Sequence, residues 1–428
     1  MAGKYERSKP QTFMFVVLKW IVWLLDLLFP CFPSRKKPSV DEICKLAENK
    51  LGYQTSGFGD HMLWRRALEA YLEDVNSQDD NPLARAVVRM ETSKELVKRL
   101  RILHTLQQNP SITEVELPRP VFIVGMPRTG STILHQLLAQ DSRAMSVPYW
   151  QWEDPVPSPE GQVDNRLENA KKSIAALNFC SSELKSIHLT EAHEADECHQ
   201  GWIDFIFAVR SAFGLIPGLN RSQELFWSSD LTEMYRNQEK ILKMLKWQQK
   251  PKLAQEWMIL KCPLHTIALE DLYSVFSDTT FVWTHRNMES VVCSVVGLFF
   301  VGDISSMPSK IHLDTLGKKS LNLLTRLMQR GLEERDRLEA NGVEFVDFYY
   351  SDLIEDLETA LEGLYDKLSI DTLPQEKQRI TEYYRTTQEA RKHKKKPLRF
   401  TLDDINLTSG DIESAFAGYY NRFPKAKR

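Results

Sequence analysis

Apolar residues recur at two spacings along the chain, and these spacings predict which segments are helices and which are strands. Residues 39–107 carry apolar side chains three and four positions apart, the spacing of amphipathic helices. Short apolar runs of strand length follow at residues 121–124, 257–261, 280–284 and 344–350. Because these runs alternate with helical patterns, we predict an α/β fold, in which a parallel sheet is flanked by helices and preceded by a helical N-terminal region.

Helical and irregular patterns fill the segments between these runs. An amphipathic segment between residues 261 and 280 fits a crossover helix, and residues 314–340 form a long helical pattern. Residues 165–249 combine helical patterns with many aromatic side chains, and we expect them to form a helical cap over a ligand site. Residues 109–120 are punctuated by proline and predict a connector, whereas residues 147–159, rich in Trp and Pro, predict an ordered loop.

The turn after the first strand-like run has the composition of a phosphate cradle. Residues 125–132 read GMPRTGST. Glycines let the backbone approach an anion closely, and the free N–H groups at the start of the next helix point at it. Ser131 and Thr132 add hydroxyl donors, and Arg128 adds a permanently charged guanidinium. Ligands of parallel sheets bind at the carboxyl ends of the strands, where this turn lies.

The turn is P-loop-like but differs from the nucleoside-triphosphate loop after its second glycine. The four-residue gap between the glycines is kept, but Ser131 stands where that loop carries lysine. The cation lies instead at Arg128, inside the loop. A P-loop kinase or nucleotide hydrolase is therefore an alternative function. It would also need a metal-binding aspartate at the end of a strand, whereas Asp347 lies inside a strand-like run.

A second candidate anion site follows the third strand-like run. Arg286 comes directly after that run, and Ser294 lies eight residues further on, just over two helical turns away. A serine on the following helix can therefore turn back toward the arginine, and together they could hold a second phosphate. A surface arginine and an ordinary serine are the alternative.

The composition argues against nucleic acid as a partner and gives little support to a bound metal ion. The 428 residues carry a net charge of −3, so no basic field calls for nucleic acid. The six cysteines form no CxxC pair. In the run EAHEADECH, Glu197 takes the place of the second histidine of HExxH, and His193, Cys198 and His199 lack a second cysteine pair. We therefore expect no metal.

Residues 13–29 predict a membrane anchor. They read FMFVVLKWIVWLLDLLF, a little short of the roughly 20 residues that span a bilayer. No small-residue cleavage site follows them. We predict a tilted single span or a helix lying in the interface, with the Golgi or endoplasmic reticulum as candidate membranes. A hydrophobic helix packed on the protein itself is the alternative, and basic residues at both ends leave the orientation open.

Taken together, the motifs resemble those of sulfotransferases that use 3′-phosphoadenosine 5′-phosphosulfate (PAPS), closest to the branch with a PRTGST or PRSGTT loop. The resemblance runs from about residue 118 to 423. It rests on VGMPRTGST, on Trp152-Glu153, on ADEC at 195–198, on LKCPLH at 260–265, on FVWTHRN followed by Ser294, and on FYYSDL at 348–353. Together with the apolar N-terminal run and the helical spacing after it, the resemblance divides the chain into a membrane anchor at residues 1–38, a helical region at 39–118 and a sulfotransferase domain at 119–428.

The resemblance also implies roles for individual residues. The 5′-phosphosulfate would be bound by Pro127, Arg128, Thr129, Gly130, Ser131 and Thr132. Arg286 and Ser294 match the pair that binds the 3′-phosphate, and Tyr350 matches a tyrosine near the adenine. Residues 398–404 resemble a segment that usually starts with His, and Arg399 within it is a candidate for binding the nucleotide. Ile133 departs from the cytosolic relatives, which stack a tryptophan on the adenine.

Sulfuryl transfer needs stabilised charge on the leaving phosphate oxygen and a base for the attacking hydroxyl. Arg128 and the loop N–H groups can stabilise the charge, and Lys261 is a second cation unless it is a surface lysine. Four residues are candidates for the base: Glu153, His193, His265 and Glu197. Glu153 is preferred, because some relatives place a catalytic glutamate after the phosphate-loop helix. His193 and Glu197 would share a face if their run were helical.

We therefore predict an enzyme that moves a sulfuryl group from PAPS, without a metal, to a hydroxyl acceptor. The acceptor could be a lipid, a sterol-like alcohol or a carbohydrate. Aromatic residues in 165–249 fit a partly apolar acceptor, but core packing explains them equally well. An inactive membrane-tethered scaffold is a further alternative, which the intact Arg128, Arg286 and Ser294 argue against. The sequence does not indicate the oligomeric state.

Overall fold

The computed structural model of the chain describes residues 36–52, 55, 57–78, 82–180, 190–212, 220–249, 255–306, 313–392 and 399–428. The predicted membrane anchor at residues 13–29 lies outside these ranges. Within them, no helix is both long and apolar enough to cross a membrane. The anchor and the cellular location therefore stay predictions.

Helices dominate the described residues. The strands are β1 (Arg119–Gly125), β2 (Ala144–Met145), β3 (Trp257–Lys261), β4 (Thr280–His285) and β5 (Phe345–Tyr349). The α-helices are α1 (Val40–Leu51), α2 (Leu63–Gln78), α3 (Pro82–Gln108), α4 (Ser131–Leu138), α5 (Tyr149–Glu153), α6 (Arg166–Cys180), α7 (Ile206–Ala212), α8 (Asn220–Ser228), α9 (Thr232–Trp247), α10 (Leu269–Val275), α11 (Met288–Ser306), α12 (Leu313–Ala340), α13 (Tyr350–Glu355), α14 (Leu357–Lys367), α15 (Pro374–Lys392), α16 (Ser409–Ala415) and α17 (Ala417–Arg422). Short 3₁₀ helices lie at Pro110–Glu114, Cys198–Gly201, Pro263–Ile267, Asp403–Ile405 and Pro424–Lys427.

The strands of the described chain form one parallel sheet in the order β2-β3-β1-β4-β5. The central strands are apolar and buried, as a parallel sheet covered on both faces requires. Ile123 of β1 pairs with Lys261 of β3, and Gly125 pairs with Thr284 of β4. In this register, the carboxyl ends of β1, β3 and β4 lie next to one another at one edge of the sheet. The predicted α/β fold is confirmed.

The described residues group into two compact units. The helical unit comprises the residues up to Val115 together with Asp154–Pro157 and Gln200–Leu245. The sheet unit comprises Glu116–Glu153, Ser158–His199 and Lys246–Arg428. The domain boundaries predicted at residues 38 and 118 stay predictions.

Aromatic residues form the core of the helical unit. The side chains of Trp202, Phe205, Phe207 and Phe226 are buried. Trp202 donates its indole N–H to Gln238 at 2.7 Å, and Phe205 stacks on Phe226. Of the two explanations that the sequence left open for these four aromatic residues, core packing is therefore the one that the structure supports. They give no information about the acceptor.

Two segments differ from their predicted conformations. Residues 147–159 are not a continuous loop, because they contain α5. The EAHEADECH run does not form an α-helix: its backbone pairs with residues 147–150, through a Pro148–Ala195 bridge and a hydrogen bond from the Trp150 N–H to the Ala192 oxygen. The helical face that would have joined His193 to Glu197 is therefore absent.

Because His135 and His265 are buried, we predict that the folded protein loses stability in acid. Burial lowers the pKa of both His135 and His265 to about 3. Because the folded-state pKa lies below the ordinary value of about 6.5, their contribution is fully present above pH ~6.5 and is lost as the pH falls toward ~3. We expect the free energy of unfolding, measured with denaturant, to fall between pH 7 and pH 5.

The matched variants for this test are His135→Gln and His193→Gln. His135→Gln should flatten the pH dependence, since it removes one of the buried titrating groups. His193→Gln replaces a histidine that is 66% exposed, so it controls for the loss of an imidazole at a site that is not buried. An equal slope in His135→Gln and the parent chain would contradict the assignment.

Candidate active site

The turn between β1 and α4 is held by close packing at two glycines. Gly125 has φ +112°, and a Cβ there would lie 2.8 Å from the Thr284 oxygen. Its N–H donates to Thr266 Oγ1 at 2.8 Å. Gly130 has φ +87°, and a Cβ there would lie 2.3 Å from the ring of Tyr350. Both positions therefore require glycine, and the loop is fixed against β4 on one side and Tyr350 on the other.

Arg128 lies at the centre of this loop. Its φ of 68° is in the left-handed region, which is uncommon for a residue with a side chain. Its Nε donates to Ser294 Oγ at 2.9 Å, and its carbonyl oxygen accepts from Arg286 Nη1 at 2.9 Å. Burial, and then the charge of Arg286, lowers the pKa of Arg128 below its usual range. Two guanidinium groups held this close favour an anion between them.

An aromatic ring completes this side of the site. The guanidinium carbon of Arg286 lies 4.5 Å from the centre of the Tyr350 ring, a cation–π contact. Tyr350 is the first residue of α13, not the last residue of a strand as the sequence suggested. The structure thus brings together Arg128, Arg286, Ser294 and Tyr350, which come from four separate elements.

Lys261 adds a further basic side chain beside the start of α4. It ends β3, and its side chain is 1% exposed, so the surface-lysine alternative is wrong. Its Nζ donates to Thr132 Oγ1 at 3.2 Å and to Glu197 Oε1 at 2.5 Å. Lys261 is therefore a buried cation that links the start of α4 to an acidic residue.

Glu197 has a second set of neighbours that the sequence analysis did not bring together. Its Oε2 lies 3.2 Å from His199 Nδ1, and that nitrogen lies 3.9 Å from Cys262 Sγ. Cys262 directly follows Lys261 in the chain. Burial raises the pKa of the Cys262 thiol well above its usual range. Pairing EAHEADECH with LKCPLH would have required knowledge of how the two segments pack.

The other predicted residues occupy different surroundings. Glu153 accepts a hydrogen bond from Ser173 Oγ at 2.9 Å. His193 is largely exposed beside Glu194, and Arg399 is exposed. His265 is fully buried, edge-on to Phe122. Pro127, Thr129 and Ser131 are buried within the turn, where Thr129 Oγ1 lies 2.6 Å from Thr284 Oγ1.

Asp347, the acidic residue considered for a kinase metal site, has structural partners. Both of its oxygens accept hydrogen bonds from Arg335, at 2.6 and 3.0 Å, and His285 Nε2 lies 2.8 Å from Oδ1. Burial alone would raise the pKa of Asp347, but hydrogen bonds from His285 and Arg335 outweigh it and lower the pKa to about 2. The structure gives no support to the kinase alternative at this residue.

Comparison with known proteins identifies the family. Residues 120–374, more than half of the chain, match the model of the Sulfotransferase family. The chain belongs to this family of sulfotransferase enzymes, so the family predicted from its motifs is confirmed.

The fold is similar to those of two solved mycobacterial sulfotransferases. Sulfotransferase STF9 from Mycobacterium avium has a TM-score of 0.75 and 23% identity, over 90% of this chain and 96% of that one. Sulfotransferase STF1 from Mycobacterium tuberculosis H37Rv has a TM-score of 0.72 and 23% identity, over 90% of this chain and 100% of that one. Similarity at this identity shows the fold alone. Among curated protein sequences, none matches the chain.

Proposed function

We propose that the chain transfers a sulfuryl group from PAPS to a hydroxyl group of a lipid, sterol-like or carbohydrate acceptor. The observation that carries this proposal is the convergence of Arg128, Arg286 and Ser294 on one loop, beside the ring of Tyr350. Two clustered cations suit a ligand with several negative charges, and an aromatic ring suits a purine base.

The donor would be divided between two anion sites. Arg286 and Ser294 would hold the 3′-phosphate, and the 5′-phosphosulfate would lie on the loop and the first turn of α4, because free N–H groups at the start of a helix favour an anion. Arg128 lies between the two sites and donates to Ser294 in the structure. We therefore expect donor binding to exchange this hydrogen bond for contacts to phosphate.

Lys261 and Glu197 would supply the remaining chemistry. The donor supplies an activated sulfur, whose bond to the 5′-phosphate oxygen breaks as the acceptor oxygen attaches in line. Negative charge then grows on that phosphate oxygen, and Lys261 and Arg128 would stabilise it. Glu197 would accept the hydroxyl proton. The products are a sulfate ester and adenosine 3′,5′-bisphosphate, and no step in this proposal uses a metal.

The geometry favours Glu197 over Glu153 as the base. Glu197 is connected to Thr132 of the loop through Lys261. His193 is largely solvent-exposed, and His265 is buried against Phe122. Glu153, the residue preferred from the sequence, is held by Ser173 and is the carboxylate to compare with Glu197.

The proposed activity is tested with sulfur-labelled PAPS and the purified full-length chain. The acceptor panel should include sterols, lipid alcohols and sugars, because the buried aromatic residues do not distinguish among them. We also propose that residues 13–29 attach the enzyme to a membrane, so the lipid acceptors should be presented in vesicles. Label transferred to a hydroxyl acceptor is the expected result. Phosphate transfer from ATP, with no use of PAPS, would contradict the proposal.

Gly130→Ala is expected to weaken binding of adenosine 3′,5′-bisphosphate by at least about tenfold, since the new methyl group overlaps Tyr350 and displaces it from Arg286. Gly342→Ala is the matched control: Gly342 has φ +83°, but nothing lies within 4 Å of its Cβ position. Both variants should lose about 1–2 kcal/mol of stability from left-handed strain. Isothermal titration should show the loss of affinity only in Gly130→Ala, and equal affinities in the two variants would refute the placement of Tyr350.

A further inference from the structure

Near Lys261, three side chains each offer a different kind of metal-ligating atom. The atoms are a carboxylate oxygen of Glu197, a ring nitrogen of His199 and Cys262 Sγ, and all lie within 4.8 Å of one another. The Cys262 side chain is fully buried, whereas those of Glu197 and His199 are 14% and 22% exposed. The cluster is therefore mostly enclosed but keeps one side accessible.

The spacing of these atoms is close to that around a tetrahedral zinc ion. Zinc bonds to carboxylate oxygen, imidazole nitrogen and thiolate sulfur place the ligand atoms about 3.4–3.6 Å apart. The observed separations are 3.2 Å from Glu197 Oε2 to His199 Nδ1 and 3.9 Å from His199 Nδ1 to Cys262 Sγ. Side-chain adjustments of less than an ångström would bring these two separations to the ideal values.

The geometry points to a binding site for Zn²⁺ at Glu197, His199 and Cys262, with water in the fourth position. On binding, the Cys262 thiol loses its proton to solvent, and the sulfur, one imidazole nitrogen and one carboxylate oxygen each form a bond to the ion. One thiolate and one carboxylate balance the charge of the ion. The occupied site is therefore neutral and repels Lys261 little.

From the sequence we expect no metal, because the EAHEADECH run by itself lacks a complete set of zinc ligands. His199 and Cys262 are 63 positions apart in the sequence, yet the fold brings His199 Nδ1 to 3.9 Å from Cys262 Sγ. A cluster of nitrogen, sulfur and oxygen donors suits zinc better than calcium or magnesium, which prefer oxygen alone.

Zinc in this position would inhibit sulfuryl transfer, a consequence that rests on the proposed function. Glu197 contributes Oε1 to Lys261 and Oε2 to the metal cluster. A bound ion would occupy the carboxylate that is proposed to accept the acceptor's proton. Micromolar zinc should therefore lower the transfer rate, and a chelator should restore it. Binding itself does not depend on the reaction.

Cobalt titration of the reduced full-length chain tests the site without any activity measurement. A thiolate ligand produces charge-transfer absorption in the near ultraviolet, and a tetrahedral site produces strong visible bands. We expect one equivalent of Co²⁺ to produce both features and Zn²⁺ to displace it. Absence of the charge-transfer band at one equivalent would overturn the proposal.

Matched variants locate the signal. Cys262→Ser should abolish the charge-transfer band, whereas Cys44→Ser, on α1 in the helical unit, should leave it unchanged. His199→Ala should weaken cobalt binding by more than about 100-fold, because loss of an outer-shell partner alone costs 10–100-fold. If Cys262→Ser does not fold, His199→Ala decides, and unchanged affinity in that variant overturns the site. A cobalt signal in a chain that does not transfer sulfate would support the metal site and would reject the proposed function together with the inhibition that rests on it.

Discussion

Replacing Lys261 by methionine is expected to lower kcat for sulfate transfer by about 10²–10³-fold. The Nζ of Lys261 is buried between Thr132 and Glu197, where charge would develop on the leaving phosphate oxygen. Methionine keeps the length and apolar stem of lysine but removes the cation. Binding of adenosine 3′,5′-bisphosphate should change much less than kcat, since the charge being stabilised develops in the transition state.

Steady-state kinetics and isothermal titration separate these effects. Lys377→Met is the matched control, because Lys377 forms ion pairs with Glu358 and Glu362 on the surface and should keep its kcat. Adding Glu197→Gln to Lys261→Met removes the carboxylate whose charge Lys261 balances. Comparing the free energies of unfolding of the single and double variants then shows whether Lys261→Met affects folding. If Lys261→Met has an undiminished kcat, Lys261 does not stabilise the leaving group and the proposed mechanism is wrong at this residue.

Glu197→Gln is expected to lower kcat by about 10²–10⁴-fold, the usual contribution of a general base. Glutamine keeps the shape of the side chain and can still accept a hydrogen bond from Lys261, so the main loss is the ability to take a proton. Glu153→Gln is the paired comparison, and there we expect a loss of less than about tenfold, since the hydrogen bond to Ser173 changes but no proton transfer is assigned to this side chain. Transfer rates at several pH values provide the measurement. A larger loss in Glu153→Gln would return the base assignment to Glu153.

Local patterns were sufficient to predict the central part of the fold. The run at 121–124 lies within β1, and the runs at 257–261 and 280–284 correspond to β3 and β4 within one residue. These strands are continuous apolar segments bounded by polar or turn residues, so their type could be predicted without knowledge of distant partners. The glycine spacing of the turn likewise follows from backbone requirements, which Gly125 and Gly130 meet in the structure.

Contacts between segments that are distant in the sequence determine the features of the site that could not be predicted. The EAHEADECH run has the composition of a helix, yet its backbone hydrogen bonds go to residues 147–150. The expected pairing of Ser294 with Arg286 is mediated instead by Arg128, because the left-handed backbone of Arg128 turns its side chain to Ser294 and its carbonyl to Arg286. The position of Cys262 beside His199 required the packing of β3.

The most direct test of the account is the melting temperature of the full-length chain with adenosine 3′,5′-bisphosphate and, separately, with ATP and magnesium. A ligand that binds only the folded state raises stability by about 2.7 kcal/mol at a concentration of 100 times Kd. We expect an increase in melting temperature with the bisphosphate that is lost in Arg286→Ala and kept in Arg337→Ala, which changes an exposed arginine paired with Glu270. An increase only with ATP and magnesium would contradict the sulfate-donor site and favour a kinase.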